Sequence, residues 1–122
     1  MSQAPIPSRW LLLGLALALL GCSGSAARQD KQNVQKARSL LAEWAMLSES
    51  RHAGRLTATY YIQMRGEIEK QLTTVAATAP QSDSAAGQAI AEAAQVHGEP
   101  PVAMLRARVD AAKAIENSLE GR

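Results

Sequence analysis

The chain has 122 residues, of which 47% are hydrophobic and 20% are charged, so it can form one small domain and not two. Aromatic residues make up only 3% and phenylalanine is absent, a composition that favours helices packed through small side chains. Acidic and basic residues alternate along the chain, whereas nucleic-acid-binding proteins concentrate Lys and Arg on one face. The composition therefore argues against a nucleic-acid partner.

Residues 1–25 follow the order of a secretory signal. A polar segment with one basic side chain, Arg9, precedes an unbroken apolar run over residues 10–21, and the small-residue segment Cys22-Ser23-Gly24-Ser25 comes next. If Arg9 is removed with this signal, the remaining chain has 12 Lys and Arg against 11 Asp and Glu. The mature chain is then nearly neutral.

The residues Leu19-Leu20-Gly21-Cys22 resemble the lipobox of bacterial lipoprotein precursors, with an aliphatic residue three positions before the cysteine and a small residue directly before it. This resemblance implies cleavage before Cys22, a diacylglyceryl thioether on its sulfur and commonly a third acyl chain on the new amino terminus. Two or three chains make such an anchor effectively permanent, since each buried methylene contributes about 0.8 kcal/mol. Because Ser23 and not Asp follows the cysteine, enterobacteria-like sorting would send the protein to the outer membrane, facing the periplasm.

Three other interpretations of this segment compete with lipidation. Residues 10–27 carry no charge, so they reach the lower length limit of an uncleaved transmembrane helix. Cys22 could instead be an ordinary buried thiol, or an ordinary signal could release a soluble protein. Cys22 is followed by Gly and Ser residues, and the chain has no second cysteine for a disulfide, which together favour lipidation.

The predicted organisation is a signal peptide over residues 1–21, a lipidated tether over residues 22–30 and a helical domain over residues 31–122. The eight residues after Cys22 span at most about 28 Å when extended, so we expect the domain to lie close to its membrane.

Two amphipathic helices are predicted to form a hairpin, over residues 31–50 and 56–78. Gly54 lies in a polar segment between them and is expected to break the helix and return the chain antiparallel. Each helix needs the apolar stripe of the other, because neither is stable alone in water. The two stripes, with three- and four-residue spacing, are Val34, Ala37, Leu40, Leu41, Trp44 and Leu47, and Tyr61, Met64, Ile68, Leu72 and Val75.

Two further helices are predicted after Pro80. Ser82 or Asp83 is expected to cap a short alanine-rich helix that ends near Val96. Pro100-Pro101 is expected to begin the last helix, whose apolar stripe is Val102, Leu105, Val109, Ala112, Ile115 and Leu119. The predicted fold class is all-α, either as a small helical bundle or as a hairpin with looser C-terminal helices that pack only on a partner.

The sequence offers no catalytic or metal-binding pattern. His52 and His97 are far apart, and neither has a second ligand residue at the spacing of a helical metal site. No nucleophile motif or phosphate-binding loop appears, and Glu67 and Glu69 point to different faces of one helix. We therefore expect no enzyme activity, no cofactor and no metal.

Tyr60, Arg51 and Arg55 form the candidate partner surface. Tyr60 and Tyr61 are adjacent, so only one can face the core, and an outward tyrosine is a reasonable interface anchor. Arg51 and Arg55 flank His52 at the predicted turn, where a solvated tip is the simpler interpretation and contact with an anion or a partner is the sharper one.

The preferred functional hypothesis is a non-catalytic envelope lipoprotein whose helical domain binds another envelope protein or itself. A narrower alternative is a pilotin-like assembly factor for a secretion or pilus machine, on fold-level analogy. A third is a module that binds a small apolar ligand between its amphipathic segments.

Overall fold

The computed structural model describes the backbone of residues 8–79 and 84–120 and the side chains of residues 28–79 and 84–120. Cys22 and the rest of the predicted signal lie outside the residues whose side chains are described. The described backbone contains four helices and no strand: α1 (Ser8–His52), α2 (Ala58–Thr78), α3 (Ala85–Ala94) and α4 (Val102–Glu120). The predicted all-α fold class is confirmed.

Helix α1 begins earlier than the stripe pattern predicted, at Ser8 instead of residue 31. No proline occurs between Ser8 and His52, so nothing in the sequence removes a donor from the helical hydrogen-bond ladder. The predicted tether of residues 22–30 is part of this helix. A helix rises only about 1.5 Å per residue. These residues therefore span less than half of the maximum of about 28 Å expected for an extended tether.

The turn between α1 and α2 closes on Gly54, as predicted. Gly54 has φ +75°, a left-handed conformation that glycine adopts without steric cost. Its N–H donates to the Arg51 carbonyl and the Arg55 N–H donates to the Ser50 carbonyl, both at 2.9 Å. These two bonds form a Schellman motif, which satisfies the last carbonyls of α1. Thr57 then caps α2 by accepting a hydrogen bond from the Tyr60 N–H.

Helix α3 is capped by Ser84, and not by Ser82 or Asp83 as predicted. Ser84 Oγ accepts a hydrogen bond from the Gly87 N–H at 3.0 Å. The helix starts at Ala85, and only the residue directly before the first helical residue places its side chain within reach of this amide. Which of these neighbouring serine and aspartate residues caps α3 therefore depends on the residue at which the helix starts.

The four helices form an up-down-up-down bundle, which decides between the two predicted architectures. Helix α1 packs against each of the other three, and α3 packs against both α2 and α4, whereas the described backbones of α2 and α4 are not adjacent. Ion pairs mark the antiparallel pairing of α1 with α4, from Lys31 with Glu120 at one end to Glu49 with Arg106 at the other. The C-terminal helices thus pack on the hairpin.

The core is built from the predicted stripes, with Trp44 as its largest fully buried side chain. Several stripe residues are only partly buried: Leu47, Met64, Val102, Val109, Ile115 and Leu119. Ala45, Ala86 and Ala93 are buried too, so small side chains fill much of the space between helices. This agrees with the packing that the low aromatic content favoured.

The bundle has two ends, which are named here by a residue of α1. The Lys31 end holds the C-terminus of α4, and the Arg51 end holds the α1–α2 turn and the α3–α4 connection. The 20 residue steps from Lys31 to Arg51 span ~30 Å along α1. Within residues 28–79 and 84–120, no helix is both long enough and apolar enough to cross a membrane.

Candidate functional site

The adjacent tyrosines of α2 face opposite environments. Tyr61 is 1% exposed and packs at the Arg51 end of the bundle, whereas Tyr60 is 46% exposed. The outward orientation expected of one tyrosine is therefore found at Tyr60. Whether it anchors a partner stays a prediction.

Tyr60 lines an open groove of about 460 Å³ between α1 and the start of α2, called the α1–α2 groove below. Met46, which is 61% exposed, also lines this groove. The groove follows three turns of α1, and its other lining residues are Arg38, Ser39, Ala42, Glu43, Leu47, Ser50 and Leu56.

The groove lining is mainly apolar or small and includes two charged residues, Arg38 and Glu43. The guanidinium of Arg38 is already paired, since its Nε lies 2.8 Å from Glu116 Oε2. Glu43 is exposed and forms no ion pair with any described residue. Of the charged residues that line the groove, Arg38 is therefore paired and Glu43 is not.

A second feature, beside the groove, is a polar cluster around Tyr61 at the Arg51 end. The guanidinium carbon of Arg51 lies 4.6 Å from the centroid of the Tyr61 ring, and that of Arg65 lies 5.8 Å from it. Both distances fall within the range of cation–π attraction. Arg51 also donates a hydrogen bond to Glu99, whose carboxylate lies 4.0 Å from Arg65. Arg51 is thus engaged within the chain, and of the predicted surface residues only Tyr60 lines the groove.

The Arg51–Glu99 contact shifts the ionisation of both groups. The hydrogen bond from Arg51 lowers the pKa of Glu99 below its ordinary value of 4.5, and the Coulomb attraction of Arg51 adds to this. The same hydrogen bond raises the pKa of Arg51. Both groups are solvent-accessible, so the pair is a surface interaction that salt weakens.

A polar cavity of about 140 Å³ lies beneath this pair. Ser48 Oγ and Tyr61 Oη lie 3.3 Å apart on its wall. His52 contacts Ser48 as well, but its Nδ1 lies 2.6 Å from the Ser48 carbonyl oxygen and is the donor there. Among the described residues the Ser48 hydroxyl contacts Tyr61 Oη and makes no hydrogen bond with the imidazole.

Glu69 attaches the α3–α4 connection to α2. Its carboxylate accepts a hydrogen bond from the Gly98 N–H at 3.2 Å, and its second oxygen lies 3.8 Å from His97 Nδ1. His97 and His52 contact different partners. In the part of the chain with described side chains, no group of three His, Cys, Asp or Glu residues could hold a metal ion.

The sequence pattern missed Met46, Glu99 and Glu116. Met46 lies two residues after Trp44, off the buried stripe, and an apolar residue off the stripe was the available signal for a second surface on α1. Glu99 and Glu116 gave no local signal, because their partners lie far away in sequence. Arg55 is exposed in the turn and lines neither the groove nor the polar cavity.

The groove combines exposed apolar area with the unpaired carboxylate of Glu43, whereas Arg51 and Arg65 of the polar cluster both contact Tyr61 and Glu99. No protein-family model matches the chain, and comparison with curated proteins and with solved structures finds no significant match.

Proposed function

We propose that this chain is the precursor of a non-catalytic envelope lipoprotein, cleaved before Cys22 and anchored by lipid, whose helical domain binds another envelope protein. The anchor rests on the resemblance of residues 19–22 to a lipobox. One observation supports the binding role: Met46 and Tyr60, two of the exposed large apolar side chains, line the same groove. Contiguous exposed apolar surface is typical of protein-binding sites, and tyrosine is a frequent interface anchor.

The proposed anchor and the proposed binding surface lie in different parts of α1. Cys22 precedes the Lys31 end, whereas Met46 lies 15 residues beyond Lys31, or ~22 Å along the helix. A partner bound at Met46 would therefore lie farther from the membrane than the Lys31 end of the bundle. Because Ser23 follows the cysteine, we place this membrane as the outer membrane, with the domain in the periplasm.

Intact mass spectrometry of the protein extracted from membranes tests the anchor. We expect a chain that begins at Cys22 and carries the added mass of a diacylglyceryl group, with or without an amide-linked acyl chain. A Cys22→Ala variant should lose both the added mass and the cleavage. A mature chain without acyl mass on Cys22 would overturn the proposal.

Site-specific photo-crosslinking in cells tests the binding role. Tyr60 is replaced by p-benzoylphenylalanine in the full-length chain, and Ile62, at 51% exposure on the same helix but outside the groove, receives the same replacement as a matched control. We expect a protein adduct from position 60 and none from position 62. Equal adducts from both positions, or no adduct at either, would contradict a partner in the groove.

A small apolar ligand is the second candidate, because the groove volume of about 460 Å³ falls within the range of small-molecule sites. The cavity inside the core holds only about 20 Å³, room for one water, so a ligand would have to lie in the open groove. Mass spectrometry of organic extracts of the purified protein distinguishes this candidate. A stoichiometric apolar molecule lost in a Tyr60→Ser variant would favour it.

A pilotin-like role is a narrower form of the main proposal. It requires that deletion of the gene mislocalise a secretion or pilus component. Normal localisation of all such machines would rule out the pilotin-like role and leave the main proposal standing.

A further inference from the structure

We infer that Met46 is an oxidation site and that its conversion to methionine sulfoxide weakens binding in the α1–α2 groove. The choice of Met46 among the methionines follows from their geometry. The effect on binding rests on the proposed function and adds the regulation of that site.

The three methionines with described side chains differ in their access to solvent. Met46 is 61% exposed, whereas Met64 and Met104 are partly buried. Met104 also packs against the hydrophobic core. A dissolved oxidant must approach the sulfur atom, so oxidation is fastest at exposed side chains. Met46 is therefore the methionine that an oxidant reaches most easily in this part of the chain.

Met104 has a second protection, which Met46 lacks. Arg108 Nε donates a hydrogen bond to Met104 Sδ at 3.3 Å. The thioether is a weak acceptor, and this bond draws electron density from the sulfur lone pairs that would attack an oxidant. Arg108 is itself held by Glu92, whose carboxylate lies 3.3 Å from its Nη1. No described residue hydrogen-bonds to the Met46 sulfur, so its lone pairs remain available for reaction.

The reaction needs a two-electron oxidant such as hydrogen peroxide or hypochlorous acid. With hydrogen peroxide, a sulfur lone pair attacks one peroxide oxygen, so that an S–O bond forms and the O–O bond breaks. The departing hydroxide takes the proton of the transferred hydroxyl and leaves as water. The sulfur is oxidised by two electrons and the peroxide is reduced by two. The proposed envelope location places Met46 in an oxidising compartment, where such oxidants are met first.

Oxidation of Met46 changes the groove and leaves the core intact. Met46 lies outside the core, so its sulfoxide stays hydrated in the free chain. The apolar lining that it shares with Tyr60, Leu47 and Leu56 becomes partly polar. A partner that covers Met46 would have to remove water from the sulfoxide oxygen, which costs free energy unless the partner supplies a donor. Oxidised chains should therefore bind an apolar partner surface more weakly.

Peptide mass spectrometry after peroxide treatment tests the site. The full-length protein, extracted in detergent, is treated with hydrogen peroxide and digested. We expect Met46 to gain one oxygen atom on the order of tenfold faster than Met64 or Met104, with no change in far-UV circular dichroism. The same protein unfolded in urea is the matched control, in which the three rates should become similar. Similar rates in the folded protein, or faster oxidation of Met64 or Met104, would overturn the inference.

Photo-crosslinking from p-benzoylphenylalanine at position 60 tests the effect on binding. Met46→Gln, which is polar and similar in size to methionine sulfoxide, should lower the adduct yield by up to about tenfold. Met46→Leu stays apolar and should preserve the yield. Peroxide treatment of isolated membranes should lower the yield from the chain with Met46 and spare the Met46→Leu chain.

Failure of the regulation and failure of the proposed function give different results. A yield that Met46→Gln leaves unchanged, or that peroxide lowers equally in Met46→Leu, would overturn regulation through Met46 while the proposed partner stands. No adduct at position 60 in the untreated protein would overturn the proposed function, and the effect on binding with it. The oxidation rates of the three methionines decide the assignment of Met46 in either case.

Discussion

Arg38 Nε lies 2.8 Å from Oε2 of Glu116 and joins α1 to α4 at the edge of the core. Its N–H does not point along this contact, so the pair is electrostatic and not hydrogen-bonded. Gln35 Nε2 donates a hydrogen bond to the other carboxylate oxygen at 2.9 Å. Glu116 is only 8% exposed, so these two α1 side chains compensate a carboxylate that is nearly buried on the inner face of α4.

Replacing Arg38 alone should lower the free energy of unfolding by more than replacing both Arg38 and Glu116. Arg38→Met leaves a buried carboxylate with only Gln35 as a partner, and we expect a loss of about 2 kcal/mol in the free energy of unfolding. The double variant Arg38→Met/Glu116→Met removes the charge as well and should return to within about 1 kcal/mol of the wild type. Urea unfolding followed by circular dichroism measures both values.

The single variant Glu116→Met is the matched control for this pair. It leaves Arg38 partly exposed and able to regain water, so its cost should lie below that of Arg38→Met. Equal losses in both single variants that add in the double variant would show that the two side chains are not coupled.

Glu99 should make the stability of the domain depend on pH through its contact with Arg51. Since the folded-state pKa of Glu99 is below its ordinary value of 4.5, the pair contributes stability above pH 4.5 that is lost as the pH falls through the folded-state pKa. The pKa of Arg51 is raised, so its charge is constant over this range. We therefore expect a small Tm excess of the wild type over Glu99→Gln at pH 7 that disappears at acidic pH.

Two measurements check this dependence. Added salt at pH 7 should reduce the Tm difference, because the pair is solvent-accessible. NMR titration should find the Glu99 midpoint moved upward in Arg51→Gln, towards its ordinary value. A midpoint unaffected by Arg51→Gln would contradict the assigned cause.

Residue spacing predicted the buried faces because every helical side chain has a direction fixed by its position. Trp44, Tyr61, Ile68 and Leu105 are buried as their stripes required. The same rule could not predict Glu116, since its burial depends on Gln35, 81 residues away in the chain.

The spacing of apolar residues could not predict where α1 starts or that the α1–α2 groove forms, for different reasons. The segment before Lys31 has no stripe, yet its residues include nothing that prevents a helix from continuing. The groove forms because the surface of α1 around Met46 is left uncovered by its neighbours, and this depends on how all the helices pack. Only the outward direction of Tyr60 could be foreseen.

Gly54 and Gly66 should respond to alanine with opposite signs. Gly54 holds a positive φ in the turn, so Gly54→Ala should destabilise the domain by about 1–2 kcal/mol. Gly66 lies within α2, and nothing would lie within 4 Å of an added Cβ, so Gly66→Ala should stabilise by about 0.5–1 kcal/mol. Thermal unfolding of the two variants beside the wild type measures both effects. A stabilising Gly54→Ala would contradict the Schellman geometry.

Trp44 should tolerate phenylalanine much better than alanine. Its side chain is fully buried, yet its indole Nε1 has no hydrogen-bond partner among the described residues. Trp44→Phe therefore removes an unsatisfied donor while keeping a large apolar ring, and we expect a cost below about 1.5 kcal/mol. Trp44→Ala empties the centre of the core and should cost about 3–5 kcal/mol, a large part of the stability of a domain of this size.

Chemical unfolding of both Trp44 variants, followed by far-UV circular dichroism, gives the two costs. Leu105→Ala, another fully buried position facing the same core, provides a reference for a cavity without loss of a polar atom. If Trp44→Phe were as costly as Trp44→Ala, the indole N–H would have to make a hydrogen bond that stabilises the fold, and the tolerance predicted for an unpartnered donor would be wrong.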